Sequence, residues 1–242
     1  MPIDFEEYFI FYELDQMSRY LDMVERSITQ EFEKLEKEHE EDMEREIEED
    51  IDDDYTDAMI DKYQDKYMEI GQDFPRLIFG SFIIAWYSFV EQKMLDICES
   101  RKLRISISAK ENVNLGKGIS KARKFLFESA GCRIDDKHWQ ELVNIQHLRN
   151  FIVHKGYQIP SSYVVEPEKP FVVYEAHTTI PTYLHIEESL YRYLRKYLMI
   201  YELSWAQIEI SPTQGYCEHL VEFGKEYFKG LFDNLRKGKK QE

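Results

Sequence analysis

The sequence predicts a mainly α-helical protein carrying one small β insertion. Three observations support this. Apolar residues recur at three- and four-residue steps over most of the chain, the period of an amphipathic helix. No proline or glycine lies between Pro2 and Gly71. Four prolines gather in one window, Pro160, Pro167, Pro170 and Pro181, between short runs of β-branched and aromatic residues. The 242 residues are 43% hydrophobic and 14% aromatic, enough for a packed core rather than a disordered chain.

Residues 1–73 form the first unit. Phe5, Phe9, Tyr12, Leu14, Met17, Leu21, Val24 and Ile28 set a helical period that runs on into the segment 31–54. That segment holds 15 acids and three bases, a local charge of −12 out of −16 for the whole chain. It reads either as a solvated helix projecting from the body or as a linker, and Asp52, Asp53 and Asp54 mark a break because like charges weaken a helix. A solvated face is its bland interpretation. The functional one is nucleic-acid mimicry or a dock for a basic partner.

Residues 74–242 form the second unit, with a core over 74–157. Pro75 suits the first turn of a helix, and apolar residues surround that helix up to Val90, so it is expected to be buried on most sides. Its 14 uncharged residues, Leu77 to Val90, fall short of the roughly 18 a membrane span requires. Residues 101–124 invert the charge, with eight bases and one acid. At a Debye length of about 8 Å, a distant acidic helix does not cancel this patch, so a polyanionic partner is not excluded. Gly116 and Gly118 mark a loop, and a helix restarts at Ile119. Residues 135–155 read as a helix with Asp135 or Asp136 at the N-cap and Gly156 at the C-terminal cap. A hairpin is predicted over about 160–183. C-terminal helices follow over 184–235: one through Leu190, Leu194, Tyr197, Leu198, Tyr201 and Trp205, and another from about Gly215 to Leu235.

Cys98, Cys132 and Cys217 form no close pair and point to a reducing compartment. The acidic start of the chain lacks a secretory pattern. Together these predict a cytoplasmic protein with no membrane association. Phosphate loops, dinucleotide fingerprints, nucleophile elbows and metal-ligand spacings are all missing, so neither metal nor cofactor is expected.

The segment 147–156, HLRNFIVHKG, places ionisable groups within an otherwise apolar helix. His147, Asn150 and His154 fall within about 60° of one another at 100° per residue. Arg149 lies about 140° from His154, so one straight helix does not bring those two together. They meet either where the helix ends at Gly156 or at a site shared between two copies. These groups suit metal-free cleavage of RNA. An imidazole can take the proton of a ribose 2′-hydroxyl near neutral pH, and a guanidinium can hold the phosphate and offset its developing charge. An amide can position the phosphate or the ribose. The products are a 2′,3′-cyclic phosphate and a 5′-hydroxyl. The bland alternative is a structural histidine, with an arginine paired to a buried acid such as Glu91.

Arg149-Asn150-Phe151-Ile152-Val153-His154 resembles the Arg, four residues, His signature of the HEPN superfamily, small helical domains that include many RNA-cutting toxins and defence nucleases. An earlier apolar helix ending in an acid, AWYSFVE over Ala85 to Glu91, fits the same pattern. The resemblance implies a HEPN-like bundle and a homodimer with the signature helices facing across a composite cleft. Arg149 and His154 would be catalytic and Asn150 supporting. Lys117, Lys121, Arg123, Lys124 and His147 would bind RNA, and Glu91 would be a supporting acid. It also implies a toxin or antiviral effector with an antitoxin or defence-system partner. Some toxins of this kind carry a Tyr two residues after the His, where a partner modifies it. Here Gly156 stands at that position and Tyr157 follows. The reading from a different class is a non-catalytic helical interaction protein that works through its acidic segment.

Overall fold

The computed structural model describes residues 5–49, 53–105, 118–130, 132, 135–157, 193–194, 196–203 and 207–238. The architecture is mainly helical. In chain order come α1 (Phe5–Glu49), α2 (Asp53–Met68), a π-turn (Glu69–Asp73), α3 (Phe74–Ile105), α4 (Gly118–Ala130), α5 (Asp136–Lys155), β1 (Leu198–Leu203), β2 (Gln207–Pro212) and α6 (Gln214–Gly238). The predicted hairpin over 160–183 and Lys117 lie outside the described residues.

α1 is one helix of 45 residues, about 67 Å long at roughly 1.5 Å per residue. Nothing in it breaks a helix, and its Ile10, Leu14, Leu21, Val24 and Leu35 are buried at heptad-like spacing. It runs antiparallel to α2 and α3. Asp42 meets Tyr63, Glu38 meets Lys66, Tyr20 stacks on Phe82, and Glu13 meets Lys93. The acid-rich segment is therefore neither a lone projecting helix nor a linker. It is one arm of a helical hairpin with a core of its own, built from Leu35, Met59 and Tyr63. The predicted break at Asp52 to Asp54 lies partly outside the described residues; within them Asp53 and Asp54 belong to α2.

Pro75 stands in the first turn of α3, as expected, but the chain ahead of it is already helical. The backbone is helical from α2 into α3 through the π-turn, in which the Phe74 N–H donates to the Glu69 carbonyl five residues back. A proline ring crowds the carbonyl four residues before it and offers no N–H, and a wider turn just ahead of it relieves both problems.

α3 is the central element. It buries Phe79, Phe82, Ile83, Trp86, Tyr87, Val90, Met94 and Ile97, while α1, α4, α5 and α6 pack around it. One stripe stays open, because Leu77, Ser81, Ala85 and Ser88 are exposed. α4 lays Ile119, Ala122 and Leu126 on α3, and α6 buries Tyr216, Leu220, Phe228 and Phe232 in the same core.

The helical spacing through Tyr197, Leu198, Tyr201 and Trp205 predicts a continuous helix. Instead β1 and β2 form an antiparallel pair with Ile200 opposite Ile210. Ile208, Glu209 and Ile210 alternate with period two, and that pattern prevails. The three cysteines are buried, and burial pushes the Cys132 thiol up to about 11.

Candidate functional site

α5 carries the HLRNFIVHKG segment. Its Leu142, Ile145, Leu148, Phe151 and Ile152 are buried, which fixes the rotation of the helix and so the direction of every polar group on it. Asp135 stands at the N-cap position with extended backbone, and its carboxylate meets His138 Nδ1 at 3.1 Å instead of capping an amide. Gly156 closes the other end in the left-handed region, at φ 57°, and its N–H donates to the Phe151 carbonyl.

Arg149 is half-buried. Its Nη1 donates to Asn150 Oδ1 at 3.1 Å, and its Nε is buried with no acceptor. No carboxylate lies within 4 Å of it among the described residues, so its charge is not neutralised by an ion pair. Glu91 makes no ion pair with it. A Cβ built on Gly118 would fall 2.5 Å from Glu91 Oε1, which places that carboxylate against the N-terminus of α4. Tyr87 of α3 is 3% exposed, and its hydroxyl has no hydrogen-bond partner. Burial, then the Glu91 charge, push that hydroxyl up, and Arg149 opposes them.

His154 is exposed in the last turn of α5, beside the exposed Val153. His147 is half-buried with its ring stacked on Phe151 at 6.4 Å. Within one chain, Arg149 faces the seam with α3 and His154 faces solvent. The structure thus brings Arg149 together with Asn150 and leaves His154 apart.

The basic residues of α4 divide. Arg123 lies 4.4 Å over the Trp139 ring and pairs with Asp136 at 3.1 Å. Asp136 opens α5, about 20 Å from Arg149 at roughly 1.5 Å per residue. Arg123 is therefore committed to the far end of the helix. Lys121 is half-buried and Lys124 exposed on α4.

Residue-level sequence reasoning misses the joint that holds the end of α5. Tyr157 adopts φ 71°, rare for a side chain other than glycine, and is buried. Its hydroxyl donates to the Arg76 carbonyl at 3.1 Å, and its own carbonyl accepts the Ile210 N–H at 3.0 Å. The Arg76 guanidinium sits 5.0 Å over its ring and pairs with Glu209 at 3.0 Å. α3, α5 and β2 are tied at one point, next to Gly156. The Tyr157 hydroxyl is thereby committed inside the fold. A second unanticipated cluster ties α5 to α6, where Glu141 meets His219 Nε2 at 3.0 Å and Tyr197 stacks on that ring at 4.4 Å. Only chain folding could reveal it, since Glu141 and His219 lie 78 residues apart.

Among the described residues no group of three or more His, Cys, Asp or Glu is placed to hold a metal ion, and no helix is long and apolar enough to cross a membrane. The chain matches no family model, no curated protein and no solved structure.

Proposed function

We propose that this chain is a metal-independent endoribonuclease of the HEPN type, active as a homodimer in the cytoplasm and serving as a toxin or antiviral effector. The observation that carries the reading is the state of Arg149. It is a half-buried guanidinium braced by Asn150, with no carboxylate to neutralise it, on the same helix as an exposed histidine. A guanidinium in that state suits a phosphate.

In this reading the His154 imidazole takes the 2′-hydroxyl proton, the 2′-oxygen attacks phosphorus, and the bond to the 5′-oxygen breaks. The 5′-oxygen leaves with a proton. Arg149 offsets charge on the non-bridging oxygens. Because Arg149 and His154 diverge on α5, the working pair comes from two chains, Arg149 of one copy with His154 of the other. Lys121 and Lys124 extend the basic surface for RNA.

The test is induction of wild type, His154→Ala and Arg149→Ala in a bacterial host, with total RNA sequenced for new 5′-hydroxyl ends. New ends are expected in wild type alone. If either variant cuts at the wild-type rate, the site is misassigned. A second reading draws on the acidic arm. Its packing against α2 makes it an ordered charged surface, which suits a dock for a basic partner. In that case deletion of the hairpin abolishes function and His154→Ala does nothing.

A further inference from the structure

α1 has two apolar faces, and only one is covered. Ile10, Leu14 and Leu21 face the core. On the opposite side Phe5, Phe9, Tyr12 and Met23 are 79%, 54%, 51% and 54% exposed. With Gln16 and Arg19 these positions step by four, three, four, three and four residues. That is the seam of a coiled coil, with Phe9, Gln16 and Met23 at heptad position a and Phe5, Tyr12 and Arg19 at position d.

We infer that this outward seam of α1 is an interface on which a second copy of the chain docks antiparallel. The inference goes beyond the ribonuclease reading, because α1 packs on α3 and α6 while the HLRNFIVHKG segment lies on α5.

The seam is self-complementary. In an antiparallel pair, position a meets position d of the partner helix. A two-fold axis at Leu14 then sets Phe5 against the copy's Met23, Phe9 against its Arg19 and Tyr12 against its Gln16. Each match is chemically sound: apolar on apolar, a guanidinium over an aromatic face, and a phenol beside an amide. No other register between Phe5 and Met23 pairs all six.

The charges beside the seam are already matched. A two-fold at this place brings Glu13 near its own copy and Asp15 near its own copy, which bare carboxylates would resist. Glu13 is held by Lys93 at 2.8 Å and Asp15 by Lys225 at 3.1 Å. Glu6 turns to Ser100, and Tyr20 stacks on Phe82. The two carboxylates nearest the two-fold, Glu13 and Asp15, are therefore both presented as paired charge.

The area is adequate. Tyr8 and Tyr20 extend the patch at 53% and 43% exposure. Six large side chains of about 150–250 Å² each, half exposed, offer on the order of 600 Å² per copy. A standard stable interface buries about 800 Å² per partner, and the backbone and polar rim supply the difference.

The experiment uses the full-length chain. Light scattering on a sizing column gives the mass of wild type and of Phe9→Glu/Tyr12→Glu, with circular dichroism confirming equal helicity. The expected result is that the double variant has half the wild-type mass, two chains falling to one or four to two. A cross-link tests the register. Oxidised Phe5→Cys/Met23→Cys forms a covalent dimer, whereas Met23→Cys alone does not, because the two copies of residue 23 lie about 27 Å apart along the seam at roughly 1.5 Å per residue. A monomeric wild type, an unchanged mass in the double variant, or cross-linking by Met23→Cys alone overturns the inference.

Discussion

Gly80→Ala tests whether the joint at Tyr157 holds α5 in place. Gly80 lies inside α3, where alanine is ordinarily favoured by about 0.5–1 kcal/mol. Here an added Cβ would fall on the Tyr157 hydroxyl and lie 2.8 Å from both Cε1 and Cζ of its ring. Relaxed carbon contacts begin near ~3.5 Å, so ring or helix must shift by almost an ångström. The ring has little freedom, because the Tyr157 backbone is fixed by its bonds to Phe151 and Ile210. Overpacking of this kind costs about 1–3 kcal/mol. Expelling the ring also loses the bond to Arg76, about 0.5–1.5 kcal/mol. Set against the helix gain, the net destabilisation is about 2 kcal/mol. Urea unfolding followed by circular dichroism measures it in Gly80→Ala, Tyr157→Ala and the double variant. With the ring gone, the three nearest contacts of the Cβ go with it and the helix gain returns, so Gly80→Ala should stabilise the Tyr157→Ala background by about 0.5 kcal/mol. The coupling is then about 2.5 kcal/mol, well above the ~0.5 kcal/mol scatter of independent sites. Additive values would refute the reasoning.

Two further predictions rest on single hydroxyls. Tyr87→Phe removes a buried hydroxyl that lacks a partner and should raise stability by about 1 kcal/mol in the same assay; a loss of that size would show that the group is bonded. Burial first, and then the bond to Asp42, push the Tyr63 hydroxyl up to about 12, against an ordinary value near 10. Between those values the unfolded chain binds fewer protons than the folded one, so stability falls as pH rises from about 10 to 12. At the acid end the Tyr63 bond, foremost, holds the Asp42 carboxyl below its ordinary value, so that contribution is present above about pH 4 and lost as pH falls further. Thermal unfolding across both windows should show smaller losses in Tyr63→Phe than in wild type, the remainder coming from other buried tyrosines such as Tyr87 and from Lys62 and Arg45 beside Asp42; equal losses in the two proteins contradict the Tyr63 assignment.

What was legible in the sequence was local. Gly156 follows the last periodic residue of α5, and it caps that helix in the left-handed region. The unbroken helical period that begins at Phe5 predicts a long helix, and α1 runs from Phe5 to Glu49. Features that failed depend on residues far apart in the chain. Nothing near residue 40 announces Tyr63 as the partner of Asp42, so the acid-rich arm reads as solitary when it is half of a hairpin. Pro75 is correctly placed near the start of an apolar run, but a proline signal alone does not distinguish a new helix from a π-turn. The site divides in the same way. Arg149, Asn150 and His154 are visible as a spacing. The orphan Tyr87 hydroxyl, the turn of Glu91 toward α4 and the capture of Tyr157 by Arg76 each join elements that only the fold brings together.

The hairpin geometry also decides whether the acidic arm can mask the site by charge. α5 meets α3 between Arg76 and Glu91, since Tyr157 lies at Arg76 and Tyr87 faces Arg149. Glu38 pairs with Lys66, ten residues ahead of Arg76 and so about 15 Å along the helix axis at roughly 1.5 Å per residue. Asp42 pairs with Tyr63, about 20 Å away on the same scale. Two charges 15 Å apart in water interact by about 0.3 kcal/mol before screening, and a Debye length of about 8 Å reduces that to roughly 0.04 kcal/mol. Residues 31–37 lie nearer, with Glu31 beside Phe74, but carry a net of only −1; the net −11 of residues 38–54 then contributes about 0.5 kcal/mol per phosphate, two- to threefold in affinity. Excising 31–54 alone would strand Met59 and Tyr63 without Leu35, so the clean variant replaces residues 31–68 with a short turn. In the ribonuclease reading its kcat/KM on single-stranded RNA should stay within about threefold of wild type. A tenfold rise would mean that the arm reaches the site by bending or by docking from a second chain, and the straight-hairpin argument would fail.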